Sequence, residues 1–166
     1  MSTIPQSNYF GRRPVAKRPT RVGIRWSRRV VPASHGHNAC GWIPIARKRL
    51  TLPYESHLEN RVISFLARRQ GLVVIQTQPF TLRCVVEGRA VVYTPDVLVV
   101  FDPVPRALRW LGFGRWTVVE VKPAAIAIAE SESIEFRLAL VNRVLGLPAI
   151  CMTERELEVS SRRARS

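Results

Sequence analysis

The sequence predicts an α/β fold, a mixed β-sheet flanked by helices and preceded by a basic, extended N-terminal arm. Three observations point there. Runs of β-branched residues are interleaved with two stretches of helical period, an order that gives a sheet with helices packed on it. Hydrophobic residues make up 46% of the 166-residue chain, enough for a core in one domain. Charge is segregated as well: of the 26 basic residues, residues 1–54 hold 11 with no acid, so most of the net +14 belongs to the N-terminal third.

Taken in order, residues 1–40 carry arginine pairs, prolines and the small-residue tract PASHGHNAC, and are expected to form an arm without a core of its own. The stretch WIPIARKRLTL reads as a strand or extended lead-in, and YESHLENRVISFLARRQG as a helix over roughly 54–70. In that helix Leu58, Val62, Phe65 and Leu66 recur at helical spacing, and Gly71 follows as a candidate C-terminal cap. LVVIQTQPFTLRCVV and AVVYTPDVLVVF read as two or three strands with a turn at Gly88. Pro95 marks an edge, a bulge or a strand start, because proline cannot donate to a ladder. Residues 102–115 are expected to be a loop, 116–122 a strand and 127–145 a helix with Ile134, Leu138, Val141 and Leu145 on one face. A short strand LPAICM and a final helix TERELEV complete the order. The folded domain is placed at 41–159, with a basic tail at 160–166, and no internal repeat is found.

An acid-free, arginine-rich arm is drawn to a polyanion by counterion release, and nucleic acid suits it better than an acidic membrane because it has no long apolar face. Arg12, Arg13, Arg28, Arg29, Arg47, Lys48 and Arg49 are the candidate DNA-binding residues. Cys40, Cys84 and Cys151 are odd in number and widely spaced, which fits reduced thiols rather than a disulfide framework. With no apolar signal segment and no run able to span a bilayer, a soluble cytoplasmic protein is expected.

The chemistry concentrates at two strand ends. In TVVEVK, Glu120 and Lys122 project to one side and Val119 and Val121 to the other. If the 91–101 strand pairs with it, Asp96 reaches the same point. Two carboxylates and a backbone carbonyl are hard oxygen ligands suited to Mg²⁺, which keeps some waters and also binds substrate phosphate. A lysine there can hold the attacking water or the scissile phosphate, or stabilise developing charge. Only three of the 26 basic residues are lysine, so Lys122 departs from a strong arginine habit where a compact point charge is useful. Glu59 borders the buried face of the first helix and offers a third carboxylate, with Glu55 one turn earlier as the alternative. His57 reads as an exposed first-turn residue. His35, His37 and Cys40 lack a fourth zinc ligand and read as a small-residue loop. Trp110, Phe113 and Trp116 read as cover for a sheet edge rather than a base-stacking wedge.

Pro95-Asp96 followed by Glu120-Val121-Lys122, behind a helix bearing Glu59, resembles the PD-(D/E)XK nuclease superfamily. The words YESHLENRVISFL, IQTQPF, YTPDVLVV, VEVKPAA and GLPAICMTERELE, in that order over about residues 41–159, resemble more narrowly the TnsA-like endonuclease subunits of heteromeric cut-and-paste transposases. The resemblance implies a restriction-endonuclease-like fold and Mg²⁺-dependent hydrolysis, with Mn²⁺ as a substitute, of one strand of double-stranded DNA at each transposon end. It also implies two partners, a DDE-type transposase and an AAA+ ATPase regulator. Carried over by position, Asp96 and Glu120 bind metal, Glu59 is the helix glutamate that completes or orients the metal-ligand set, and Lys122 is the strand-end lysine. The chain is expected to lack the second, C-terminal domain through which some members contact the ATPase, and the arginine-rich arm matches no position in the family. Two other readings stay open: a non-catalytic DNA-binding or assembly module on a nuclease fold, and a stand-alone nuclease of repair or restriction.

Overall fold

A computed structural model describes residues 18–27 and 40–163. Among these residues the fold is mixed α/β, with nine strands in three sheets and five α-helices. The strands are β1 (Thr20–Trp26), β2 (Gly41–Ile45), β3 (Leu50–Tyr54), β4 (Leu72–Thr77), β5 (Phe80–Val86), β6 (Arg89–Tyr93), β7 (Val97–Phe101), β8 (Trp116–Val121) and β9 (Ala149–Met152). The helices are α1 (His57–Ala67), α2 (Arg106–Trp110), α3 (Ala124–Ala129), α4 (Ser131–Leu145) and α5 (Glu154–Arg163).

The central sheet runs β4-β7-β8-β9, antiparallel except for the parallel β8–β9 pair. β7 reads VLVVF with every residue buried, as a strand covered on both faces must. Val97, Val99 and Phe101 point into a first core with α1, the β2–β3 hairpin and Leu157 of α5. Leu98 and Val118 point into a second core, closed by the inner face of the β1-β5-β6 sheet and by Leu140 and Val141 of α4. The alternation of β5, with Phe80, Leu82, Cys84 and Val86 buried and the residues between them more open, is that of a sheet with one solvent face.

Local chemistry sets the helix limits. Ser56 caps α1 by accepting from the Glu59 N–H at 3.1 Å, and Glu59 Oε2 accepts from the Glu55 N–H at 2.8 Å, a reciprocal capping box. Thr153 and Glu156 repeat the device at α5. Gly146, left-handed at φ 67°, ends α4. Gly71 has φ 77°, and a side chain there would meet the Pro103 carbonyl at 2.2 Å, so only glycine lets the 102–103 segment lie against the start of β4.

The expected helix over 54–70 is α1, and the turn at Gly88 joins β5 to β6. Three expectations are corrected. Residues 20–26, expected in a coreless arm, form β1 and pair with β5, so the folded unit reaches back beyond residue 41. The loop expected over 102–115 contains α2, which seats Leu108 in the first core. The helix expected over 127–145 is two helices, α3 and α4, parted at Glu130 (φ −105°).

Phe101 is fully buried and stacks edge-on against Phe113 with ring centroids 6.3 Å apart. Phe101→Ala is expected to lower unfolding free energy by about 3–5 kcal/mol, read as a fall in the urea midpoint with unchanged slope.

Candidate active site

Each acid arrives at the site because of where its strand begins or ends. Pro95 stands just ahead of β7, so Asp96 occupies the entry to that strand. Its carbonyl accepts from the Gln78 N–H at 2.8 Å, which ties the β4–β5 turn to it. β7 and β8 are antiparallel with Val97 opposite Val119, which brings Asp96 level with Glu120. The Val121 N–H then donates to Asp96 Oδ2 at 2.7 Å.

Glu120 is only 4% exposed, and three groups converge on it from three elements. The Tyr93 hydroxyl, from the end of β6, donates to Oε2 at 2.6 Å. Lys122 Nζ lies 3.3 Å from Oε1, and Arg137 Nη2, from α4, lies 3.8 Å from the same oxygen. The Arg137 guanidinium also stands 5.7 Å from the centre of the Tyr93 ring. Its Nε and Nη2 are buried without a hydrogen-bond partner, so the side-on edge of the guanidinium faces the carboxylate at long range rather than clasping it.

The electrostatics follow from crowding carboxylates where water is scarce. Burial, then the charge of Glu120, raise the Asp96 carboxyl to about 7; the Val121 N–H and Lys122 only partly offset them. Burial raises Glu59 too, against the lowering effect of its capping hydrogen bonds. Burial alone would lower the Lys122 ammonium, but Asp96 and Glu120 override it and hold it above its ordinary value. Lys122 is therefore a cation at neutral pH. Tyr93 is held protonated by burial and by the Glu120 charge. Cys151, opposite Glu120 on β9, is pushed up to about 12 by burial and the same charge, and stays a thiol.

Of the four residues expected at the site, Asp96, Glu120 and Lys122 come together at one end of the β7–β8 pair. Glu59 reaches them differently. It sits on α1, against the opposite face of the sheet, and both its oxygens are engaged at the helix cap, while its charge still acts on Asp96 and Lys122. Glu55 is exposed and accepts from Gln78 Nε2 at 2.6 Å, so between the two helix acids Glu59 is the one coupled to the site. Lys122, on the same side of the strand end as Glu120, is its ion-pair partner. Tyr93 and Arg137 escape a sequence reading because only the tertiary fold brings them to Glu120; a tyrosine three residues ahead of Asp96 was the available hint.

Among the described residues no group of three or more His, Cys, Asp or Glu side chains is placed to hold a metal ion. Asp96 and Glu120 together make a two-carboxylate, hard-oxygen donor set. That suits Mg²⁺, which keeps several waters and needs no full protein cage, and does not suit a four-ligand zinc site. His35, His37, Arg12, Arg13, Arg28 and Arg29 lie outside the described residues. Arg47, Lys48 and Arg49 are exposed at the tip of the β2–β3 hairpin, and His57 is exposed at the start of α1. Phe113 is buried, whereas Trp110 and Trp116 are exposed. No helix among the described residues is long and apolar enough to cross a membrane.

No protein-family model matches this chain, and no curated protein matches it.

The raised Asp96 carboxyl makes metal-free stability depend on pH. Its neutral form is favoured by folding, so its contribution is full below the ordinary aspartate value and is lost as pH rises toward about 7. Asp96→Asn keeps an acceptor for the Val121 N–H without the charge. In chelator it is expected to be more stable than wild type by about 2 kcal/mol at pH 8, with the gap closing toward pH 4. Urea unfolding at the two pH values checks this, and a pH-independent gap would refute it.

Proposed function

We propose that the chain is a Mg²⁺-dependent DNA endonuclease of the PD-(D/E)XK kind, with a restriction-endonuclease-like fold. The observation that carries the reading is the register of β7 and β8, which sets Asp96 beside Glu120 and fastens Asp96 by the Val121 N–H. The ordered words of the sequence make the TnsA-like subunit of a heteromeric transposase the narrower form of the proposal. Duplex DNA is then the substrate, and a DDE-type transposase and an AAA+ ATPase are the partners.

In this reading Asp96 and Glu120 would hold the cation. Bound there, Mg²⁺ supplies positive charge at the scissile phosphate and a polarised water. Asp96 is pre-positioned by a backbone donor on Oδ2. Glu120 is oriented by the Tyr93 hydroxyl on one oxygen, leaving Oε1 as the one shared between Lys122 and Arg137. Lys122, held protonated by its acids, cannot be the general base; it places an ammonium where negative charge grows on the phosphate. Glu59 acts through its charge and through the α1 cap, which fixes that end of the helix.

A second reading, a non-catalytic DNA-binding or assembly module, draws on one observation. Tyr93, Lys122 and Arg137 already offset the burial of Glu120, as they would in a purely structural ion cluster.

Two measurements decide. With Mg²⁺ and the transposase partner, wild type is expected to nick transposon-end duplexes, and Asp96→Ala and Lys122→Ala to lose about 10²-fold or more. Calorimetric Mn²⁺ titration should show binding by wild type and none by Asp96→Ala. Equal cleavage by all three proteins would sink the active site; absence of metal binding in wild type would favour the module.

A further inference from the structure

The β1-β5-β6 sheet buries one face and leaves the other open, and register identifies the outer set. Arg25 lies opposite Thr81, Gly23 opposite Arg83, and Arg83 opposite Val92 on the far side. These alternate with Leu82 and Cys84, which are buried in the second core, so Arg25 and Arg83 share the solvent face. Both arginines are exposed, and among the described residues neither has an acidic partner in an ion pair.

Four features of this face fit one kind of occupant. Arg25 and Arg83 are diagonal neighbours on the outer face and the three strands hold no acid, an arrangement that repels itself until an anion lies across it. Arg21 sits in the β1 irregularity at φ 50°, a left-handed position that glycine fills without strain, yet the residue there is an exposed arginine. Gly23, in contrast, is not left-handed, and a side chain on it would meet nothing within 4 Å. Neither backbone conformation nor internal packing asks for glycine, which weakens a strand, but it leaves the outer surface beside Arg83 open to close approach.

The fourth feature is continuity with the acids. The Thr81 and Thr94 hydroxyls are 2.8 Å apart across β5 and β6, and Thr94 is two residues ahead of Asp96. The Ser27 N–H, just beyond β1, donates to the Pro79 carbonyl at 2.9 Å, beside the Gln78 that holds Asp96. The row Arg25-Thr81-Thr94 therefore lies at the Asp96 end of the sheet, and Arg83 one same-face repeat away, about 7 Å along the strand.

From this we infer that the outer face of the β1-β5-β6 sheet seats the sugar-phosphate backbone of duplex DNA as it leaves the Asp96–Glu120 site. Arg25 and Arg83 supply paired donors to phosphate oxygens, a contact that positions the duplex without reading its sequence. The inference rests on the nuclease reading and adds to it residues outside the metal site and outside the hairpin tip.

The test measures binding of a fluorescent duplex to the full chain by anisotropy over a salt series, in Ca²⁺ to prevent cutting. Arg25→Glu/Arg83→Glu is expected to weaken binding at least tenfold and to flatten the log–log salt slope by about 2, roughly one per lost phosphate contact. Arg106→Glu/Arg109→Glu on α2, which follows the opposite end of β7, makes the same change in net charge and is expected to keep near wild-type affinity. Calorimetric Mn²⁺ affinity should match wild type in both variants. Equal weakening by the two pairs, or none by the first, overturns the docking face and leaves the nuclease reading standing. A wild type that binds Mn²⁺ but no duplex overturns both.

Discussion

Two carboxylates placed level across a buried strand pair repel each other and lose water together, and the surrounding fold is arranged around that cost. Asp96 carries it as a carboxyl raised to about 7. Glu120, more deeply buried, is met by a hydroxyl and two cations drawn from β6, from its own strand and from α4. A structure built only for stability would set valine at both positions, since a buried ion cluster is commonly no better than a packed apolar one. The neighbours of the acids, Val97, Val118, Val119 and Val121, show that the chain has that option and uses it at the positions around them.

The site sits where the two cores meet the end of the central sheet. β7 and β8 each send alternate side chains into opposite cores, so at the strand end a group from α1 and a group from α4 both approach the acid pair. Glu59 acts on Asp96 from one side and Arg137 on Glu120 from the other. Gln78 adds a tie, its backbone bonded to Asp96 and its side chain to Glu55, at φ 43° in a left-handed conformation unusual for its type. The helix cap, the turn and the strand entry are thereby one hydrogen-bonded assembly, and a shift in any of them moves an acid.

Much of this was legible in the chain, and the rest was hidden for physical reasons. Period and punctuation locate α1, β8 and the Gly88 turn, because each is fixed by neighbours within a few residues. The pairing of β7 with β8, and so the meeting of Asp96 with Glu120, follows once both are read as strands. β1 was missed because TRVGIRW has no alternation of its own; it is a strand because the edge of β5 accepts it. The role of Glu59 could have been read locally, since Ser56 and Glu59 spell a capping box, but its position near a buried face suggested a ligand first. Tyr93 and Arg137 lie 27 and 17 residues from Glu120, and no periodicity encodes such a meeting.

The shared oxygen of Glu120 ties these features together. Oε1 faces Lys122 at 3.3 Å and Arg137 at 3.8 Å, so two cations share one oxygen, and Nε and Nη2 of Arg137 are left without a hydrogen bond. In a nuclease the same oxygen would also be wanted by a divalent cation. Lys122 in its pair and a cation on the carboxylates are then competing solutions to one burial problem. Were the two carboxylates to hold a cation, Lys122, with 30% of its side chain exposed, would have room to turn toward a phosphate. Arg137 faces the same oxygen from α4 at longer range. The arrangement is costly as a resting structure, and on the proposed nuclease reading it is useful as a poised one.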